Sequence, residues 1–361
     1  MNKASSFSRD ILTLSSVPLF SQFIGIFLTP IITRLYSPEA FALQNIFGST
    51  VMIIAVFSTM GYHNSIILPK SDDEAFIMFY LCILSTIIIS TFVFIIVLIG
   101  QNIIVQKFQY PGIKLYIWLA PIIVFLHGMY QSLRFWNTRL KLFGRISASR
   151  VIDTISNKGF ILFAGLSGFT SGGSLIFGNI FASFLKNIIL ANKLWGKNNY
   201  IIKNKINRES LTIGLIRYRK FPIYSIWSEF LSRVPAFIIV FLILYFFNKK
   251  LVGYYSLSLM VLSMPTILIV SSIMEAFSPR AALAKYENKH SELLLMVNER
   301  VFSLSIFPFI ILGIFGDDLF GFVFGSNWIM AGVIAQILVF RVFCEIIFTP
   351  ALSLTNIVEK Q

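Results

Sequence analysis

One stretch of the chain, residues 76–99, decides the fold class: it reads FIMFYLCILSTIIISTFVFIIVLI and contains no charged residue. About 20 consecutive apolar residues in a helix are enough to cross the hydrocarbon core of a bilayer. A buried strand of a parallel sheet would need only about 4–8 apolar residues. A run of this length therefore predicts a membrane-spanning helix.

Similar runs lie along the rest of the chain, so the sequence predicts an all-α integral membrane protein with about ten transmembrane helices. The predicted spans are residues 11–33, 41–62, 76–99, 114–135, 148–169, 173–195, 221–247, 252–276, 294–316 and 328–350. Of the 361 residues, 56% are hydrophobic and only 13% are charged, whereas soluble domains contain about 25% charged residues. The first span is longer than the apolar region of a signal peptide, about 7–15 residues, so we expect it to be retained as a helix.

The distribution of Lys and Arg predicts the orientation of the helices. The chain has 30 of these residues and a net charge of +14. If the N-terminus is cytoplasmic, 21 of them lie in the termini, loops and adjoining span ends on the cytoplasmic side and 5 in the loops and span ends on the opposite side. Because cytoplasmic loops carry such an excess, we expect both termini in the cytoplasm. The charge then reflects topology and contact with anionic membrane lipids, and no nucleic-acid partner is expected.

The longest connection, residues 193–220, predicts how the helices are grouped. It is basic and cytoplasmic, with six predicted spans before it and four after it. We therefore expect an N-terminal six-helix lobe at 1–195, a basic cytoplasmic linker at 196–220 and a C-terminal lobe of four helices at 221–361.

Four basic residues lie deep inside predicted spans, nine or more positions from either end, and are not explained by topology: Lys158, Lys186, Arg233 and Arg341. A charge at that depth costs about 2.5–3.5 kcal/mol on insertion scales, so it usually faces the bundle interior or a wet cavity. Cations in a cavity suit an anionic head group, because Arg binds phosphate oxygens in pairs and Lys acts as a point charge. Together with Arg34, near the predicted periplasmic exit, they are the predicted substrate-binding residues.

Three acidic residues are candidates for ion coupling or for structural ion pairs: Asp153, Glu229 and Glu345. Glu229 and Arg233, like Arg341 and Glu345, are four residues apart, which places each pair on one face of a helix. Lys186 has no acidic residue three or four positions away, so it is expected to meet Asp153 or Glu229 across an interface or to line water. The residues alone leave both roles open.

The sequence contains little material for catalysis or metal binding. Cys82 and Cys344 both lie in apolar stretches, the chain has only three histidines, and no nucleophile–base–acid combination stands out. There is no Gly-x-x-x-x-Gly-Lys-[Ser/Thr] motif for ATP. We therefore expect no enzyme activity, catalytic residue, cofactor or metal, and uphill transport would use an ion gradient, the membrane potential or removal of product.

Several short strings, in order along the chain, resemble those of bacterial polysaccharide-unit flippases, the Wzx-type O-antigen translocases. They are PLFSQ at 18–22, TRLYSPEAF at 33–41, IILPKSDDEA at 66–75, YRKFPIYS at 218–225, VGYYSL at 252–257 and FGSNW at 324–328, followed by Ala331 and Gly332. The resemblance covers nearly the whole chain. It implies membership of the polysaccharide transporters in the multidrug/oligosaccharidyl-lipid/polysaccharide (MOP, MATE-containing) exporter superfamily.

The resemblance also implies a fold, a substrate and a location. The fold is two helical lobes around a cavity that works by alternating access; this chain would lack the last two of the usual twelve helices. The substrate is an undecaprenyl-diphosphate-linked oligosaccharide moved to the periplasmic leaflet of the bacterial inner membrane for O-antigen or other surface polysaccharide. Membrane lipids and the polymerase and chain-length regulator of the same pathway are the other implied partners.

Three other functions remain as alternatives. A drug or cation antiporter of the same superfamily would want an acidic, aromatic cavity, whereas cations slightly outnumber acids inside the spans here. A glycan polymerase or ligase usually has a large periplasmic loop, and no predicted external loop exceeds about fifteen residues. A non-transporting scaffold for the glycan assembly machinery would use the loop at 193–220.

Overall fold

The computed structural model describes residues 23–108, 111–192, 208–265 and 290–358, which form helices joined by short connections and contain no β-strand. The helices are α1 Phe23–Leu35, α2 Pro38–Ala55, α3 Asp72–Phe108, α4 Ala120–Arg139, α5 Phe143–Leu166, α6 Gly172–Ala191, α7 Arg208–Arg217, α8 Ile226–Phe246, α9 249–265, α10 His290–Phe324 and α11 Ile329–Val358. Short 3-10 segments occur at Val56–Thr59, Tyr62–Ile67, Pro111–Ile113, Ile117–Leu119 and Ser326–Trp328, and a π-helical turn at Phe221–Ser225.

Within the described residues, six stretches are long and apolar enough to cross a membrane. They are Pro38–Thr59, Asp72–Ile103, Gly172–Ala191, Phe221–Phe246, Leu295–Phe324 and Ser326–Phe348. Each coincides with a predicted span, so an all-helical, multi-pass membrane protein is confirmed. The predicted spans 114–135 and 148–169 correspond to α4 and α5, which are more polar. The spans 11–33 and 252–276 run partly outside the described residues, and the count of ten stays a prediction.

The first turns of span 114–135 differ from the prediction. Residues 111–119 form two 3-10 segments, and the α-helix begins only at Ala120. Pro121 lies in the first turn of α4, where its fixed backbone angle and missing N–H do no harm.

The chain divides into two compact units, Met1–Ala42 with Lys250–Gln361, and Leu43–Lys249. We call them the terminal unit and the central unit. The predicted division into lobes at 1–195 and 221–361 stays a prediction. Within the predicted linker 196–220, residues 196–207 lie outside the described residues, and Arg208–Arg217 forms α7.

In the central unit, α3, α4 and α6 pack around one apolar cluster. Its buried side chains include Phe76, Met78, Leu81, Leu133, Trp136 and Leu190. Helix α7 lies on α3, because Gly214 offers no side chain where it meets Met78 and Leu81. The Arg217 guanidinium adds an exposed ion pair with Glu74, 3.2 Å away.

In the terminal unit, Trp328 joins three parts of the sequence that are far apart. Its side chain is fully buried, and its indole Nε1 donates a 2.9 Å hydrogen bond to the backbone oxygen of Thr33. The rings of Phe41 and Tyr254 pack edge-on against it at 5.0 and 6.0 Å. Gly253 permits close contact with the Pro38 backbone, because any Cβ there would overlap the Pro38 carbonyl. Three of the strings that carried the family resemblance therefore pack together here.

Gly128 provides a test of the packing in the central unit. A Cβ at this position would lie 2.6 Å from Thr86 Cγ2 and 3.0 Å from Ser58 Cβ, both on buried residues. We expect Gly128→Ala to lower the free energy of unfolding by about 1–3 kcal/mol through overpacking, measured as loss of the monodisperse protein after heating in detergent. Adding Thr86→Ala should restore part of the loss.

Gly159 is the matched control for this substitution. It lies in the interior of α5, and a Cβ there would meet no atom within 4 Å. Gly159→Ala should be neutral or stabilising by up to about 1 kcal/mol, because alanine favours the helix. Equal effects of the two substitutions would contradict the packing argument.

Candidate functional site

A polar cavity of about 340 Å³ lies inside the central unit, between α2, α4, α5 and α6. Its wall includes two lysines and one carboxylate, Lys158, Lys186 and Asp153, with three amide side chains, Gln44, Asn157 and Asn179. The hydroxyls of Thr154 and Ser183 also face it, and Phe47, Met52 and Leu126 are among the apolar residues of the wall. Hydrogen-bond donors therefore outnumber anionic acceptors in this wall.

Helical spacing brings these polar groups together. On α5, Asp153, Thr154, Asn157 and Lys158 occupy positions i, i+1, i+4 and i+5, so one face of the helix carries all of them. On α6, the polar residues at 179, 183 and 186 recur every three or four positions. The two faces meet, as the 2.7 Å hydrogen bond from Asn157 Nδ2 to Asn179 Oδ1 demonstrates.

Lys186 is held in place by two contacts. Its Nζ lies 3.2 Å from Asp153 Oδ1 and 4.6 Å from the centre of the Tyr130 ring, a cation–π contact from α4. The side chain is 18% exposed. Of the two acidic partners predicted for Lys186, the structure gives Asp153.

Lys158 is the less restrained cation of the cavity. Within the described residues, no carboxylate lies within ion-pair distance of its Nζ. The other polar residues of the described wall, apart from Lys186 and Asp153, are neutral amides and hydroxyl-bearing residues. The cavity thus contains two lysines: Lys186 is paired with a carboxylate, and Lys158 has no carboxylate partner among the described residues.

Glu229 does not pair with Arg233, so the predicted pair on α8 is wrong. The Glu229 carboxylate lies 3.3 Å from His63 Nε2 and accepts a 3.2 Å hydrogen bond from Asn64 Nδ2. The Arg233 side chain is exposed, and the described wall of the polar cavity is formed without it. The reason is tertiary: residues 63 and 64, on the segment that follows α2, offer this half-buried carboxylate an imidazole and an amide donor.

The remaining predicted residues belong to the terminal unit. Arg34, at the end of α1, is exposed. Arg341, also exposed, hydrogen bonds through its side chain with the buried Tyr255. Glu345 lies one turn further along α11, and its pairing stays a prediction. The structure therefore brings Asp153, Lys158 and Lys186 together in one cavity of the central unit.

Sequence reasoning missed the partners that define these sites. His63 and the amides at 44, 157 and 179 carry no charge, so a search for charges inside spans did not find them. The available signal was helical spacing: on α5 the residues at 153, 157 and 158 share one face. In the part of the chain that the structure describes, no three His, Cys, Asp or Glu side chains are arranged to bind a metal ion.

The fold is that of the MATE transporters. The inward-facing structure of a multidrug resistance MATE family transporter of the MOP superfamily matches with a TM-score of 0.63 at 15% identity, over 96% of this chain and 82% of that one. A MATE protein in complex with MaD3S gives 0.55 at 16% identity, over 97% and 85%. A MATE protein in the bent conformation gives 0.53 at 14% identity, over 99% and 87%.

At the level of sequence, residues 31–332 match the family described as polysaccharide biosynthesis protein. This match covers most of the chain, which therefore belongs to that family. No curated protein matches the sequence significantly.

The ion pair between Asp153 and Lys186 leads us to expect a larger loss of stability from one single substitution than from the other. Asp153→Asn leaves the ammonium of Lys186, only 18% exposed, without its anion, and we expect a loss of about 1–3 kcal/mol of stability. Lys186→Met leaves a carboxylate that is 37% exposed and hydrated, so the loss should be below about 1 kcal/mol.

A double-mutant cycle in lipid nanodiscs measures the pair directly, from thermal unfolding of the wild type, both single variants and the double variant. The double variant should be more stable than Asp153→Asn alone, because no charge is left unpaired. Strictly additive losses would show that the two groups do not interact.

Proposed function

We propose that this protein translocates an undecaprenyl-diphosphate-linked oligosaccharide from the cytoplasmic to the periplasmic leaflet of the bacterial inner membrane, for O-antigen or other surface polysaccharide assembly. The observation that carries the proposal is Lys158, a cation without a carboxylate partner among the described residues, in a polar cavity inside a bundle of membrane helices. The polysaccharide biosynthesis family and the MATE-like fold support a transport step in glycan assembly.

The cavity chemistry fits the head group of such a substrate. Lys158 and Lys186 supply positive charge for diphosphate oxygens, which Lys contacts as a point charge. The amides of Gln44, Asn157 and Asn179 can donate to and accept from sugar hydroxyls. The polyprenyl chain would remain in the bilayer while the head group crosses. The remaining predicted cations, Arg34, Arg233 and Arg341, are proposed to contact the substrate at other stages of alternating access.

The lysines also separate this proposal from a drug or cation antiporter. Cation binding requires an excess of acidic groups, whereas Asp153 is the only carboxylate in the described wall of the cavity and is matched by Lys186. A polymerase, ligase or scaffold would leave the leaflet distribution of the lipid-linked unit unchanged, which makes that distribution the decisive measurement.

Lys158→Met should lower transport about tenfold or more, because one charge-assisted contact to the diphosphate is lost. The measurement uses proteoliposomes that contain a fluorescent polyprenyl-diphosphate oligosaccharide, with a membrane-impermeant quencher to report the outer leaflet. Lys158→Arg should retain part of the activity. Lys114→Met, which removes an exposed lysine outside the cavity, is the control and should transport normally.

Asp153→Asn distinguishes the two transporter hypotheses. It removes the one carboxylate of the cavity and frees Lys186, so a carrier of an anionic head group should keep its activity in the folded fraction. A cation antiporter should lose its activity with Asp153→Asn and keep it with Lys158→Met. That pattern, or wild-type protein that does not move the lipid, would overturn the proposed function.

A further inference from the structure

A second polar cluster in the central unit, distinct from the cavity, links α8 to the segment that follows α2. His63 is buried, and its Nδ1 lies 2.7 Å from the hydroxyl oxygen of Thr59, which is also buried. On the other side of the ring, Nε2 lies 3.3 Å from Glu229 Oε1. Asn64 donates a 3.2 Å hydrogen bond to the same carboxylate oxygen.

Thr59 allows this cluster to gain a proton without losing a hydrogen bond. A threonine hydroxyl can donate or accept. When His63 is neutral, Thr59 donates to Nδ1 and Nε2–H donates to the Glu229 carboxylate. When His63 takes up a proton, the Thr59 hydroxyl rotates, Nδ1–H donates to it, and Nε2–H still donates to Glu229. Only the proton and one hydroxyl rotation separate the two states.

The two states differ in how strongly they hold α8. In the neutral state an uncharged ring donates to a half-buried carboxylate. In the protonated state the same contact becomes an ion pair in a low-dielectric environment, which is the stronger interaction. Asp153 differs from Glu229 in this respect, because its partner Lys186 already carries a positive charge.

The backbone next to this cluster departs from regular α-helix on both sides of the contact. Phe221–Ser225 forms a π-helical turn just before α8, a feature that often marks functional positions in helices. Gly61 has a left-handed backbone (φ +72°), and a Cβ there would lie 3.1 Å from the Phe221 backbone oxygen. Beyond this contact, Trp227 and Phe230 pack on Phe57 at 6.2 and 5.4 Å. The polar cluster is thus the charged part of a small contact surface.

The charged and titratable groups near the His63 segment come from four helices, α3, α4, α6 and α8. On α4, His127 interacts electrostatically with His63 and Glu229, and Phe135 packs edge-on against the His63 ring at 4.9 Å. The Arg134 guanidinium lies 4.9 Å from the centre of the Phe135 ring. On α8 the charged groups are Glu229 and Arg233. Lys186 of α6 acts on His127. Asp72 of α3 is paired with Arg139, 2.9 Å away.

We propose that Thr59, His63 and Glu229 form a proton-binding site that fastens α8 to residues 56–67, tightly when His63 is protonated and loosely when it is not. One proton binds at the imidazole on fastening and leaves on release. As part of a transport cycle this site would couple protons to the movement of α8, and that consequence rests on the proposed function. Proton binding and fastening do not rest on it.

The test uses the full chain in nanodiscs labelled with [¹⁵N]histidine. The chain contains three histidines, at 63, 127 and 290, so His63→Gln assigns the His63 signals. We expect those signals to change with pH from a neutral tautomer to the doubly protonated ring. Hydrogen exchange of the amides at 226–231 should be roughly threefold or more slower in the protonated state than in the neutral state, after correction for intrinsic rates.

The variants separate a proton switch from a structural contact. Gln at position 63 can still donate to Glu229 but cannot titrate, so His63→Gln should keep the exchange of 226–231 independent of pH. Thr59→Val removes the hydroxyl that bonds to His63 in both protonation states, and it should reduce the pH dependence of hydrogen exchange at 226–231. Thr86→Val is the control for Thr59→Val. Thr86 is also buried, but it bonds only to the Cys82 backbone oxygen of its own helix. In this variant the pH dependence of hydrogen exchange at 226–231 should match the wild type.

The outcomes also separate this inference from the proposed function. A His63 signal that does not change with pH, or identical exchange profiles in the wild type and His63→Gln, would overturn the proton site. If both measurements behave as expected but no lipid-linked oligosaccharide is moved, the proton site stands and the proposed function fails. If transport occurs and His63→Gln leaves its pH dependence unchanged, the coupling role is wrong.

Discussion

The structure depends on one constraint, the cost of leaving a polar group unpaired inside an apolar helical bundle. The described part of the chain meets it with contacts between helices. Lys186 meets Asp153 between α6 and α5, and Glu229 meets His63 and Asn64 between α8 and the segment after α2. Trp328 gives its indole proton to the Thr33 backbone. Each of these bonds fixes which face of a helix turns inward, and apolar packing then fills the space around them.

The same bonds divide the central unit into a fixed part and a part suited to movement. Helices α3, α4 and α6 share a closely packed apolar cluster and contacts that only glycine permits, as at Gly128. Helix α8 is different, because most of its surface is exposed within this unit and a π-helical turn precedes it. A helix that is held by one polar cluster and a few aromatic rings can be released by changing a single charge, whereas releasing α4 would require opening the core.

The sequence predicted the helical membrane class well, because a run such as 76–99 is too long and too apolar for any soluble element. It predicted less of the site. Asp153 was one of two partners open to Lys186, because helical spacing excludes local pairing but cannot choose among distant helices. The pair Glu229–Arg233 failed for the complementary reason: spacing permits it, but a tertiary partner, His63, competes for the carboxylate. The neutral amides of the cavity carry no charge that a search for ions would detect. They are recognised as part of one site only when the packing of α5 against α6 is known.

Helix α4 contacts both a residue of the polar cavity and a residue of the proposed proton site. Tyr130 of this helix lies under the Lys186 ammonium, and Phe135, five residues further on, packs against His63. Three residues before Tyr130 on the same helix, His127 interacts electrostatically with Lys186, Arg233, His63 and Glu229. An anion bound beside Lys186 would offset positive charge that acts on this helix, and it would thereby favour a positive charge on His63. Binding of the head group and fastening of α8 would then support each other, and by linkage the proton would strengthen binding of the anion by the same factor.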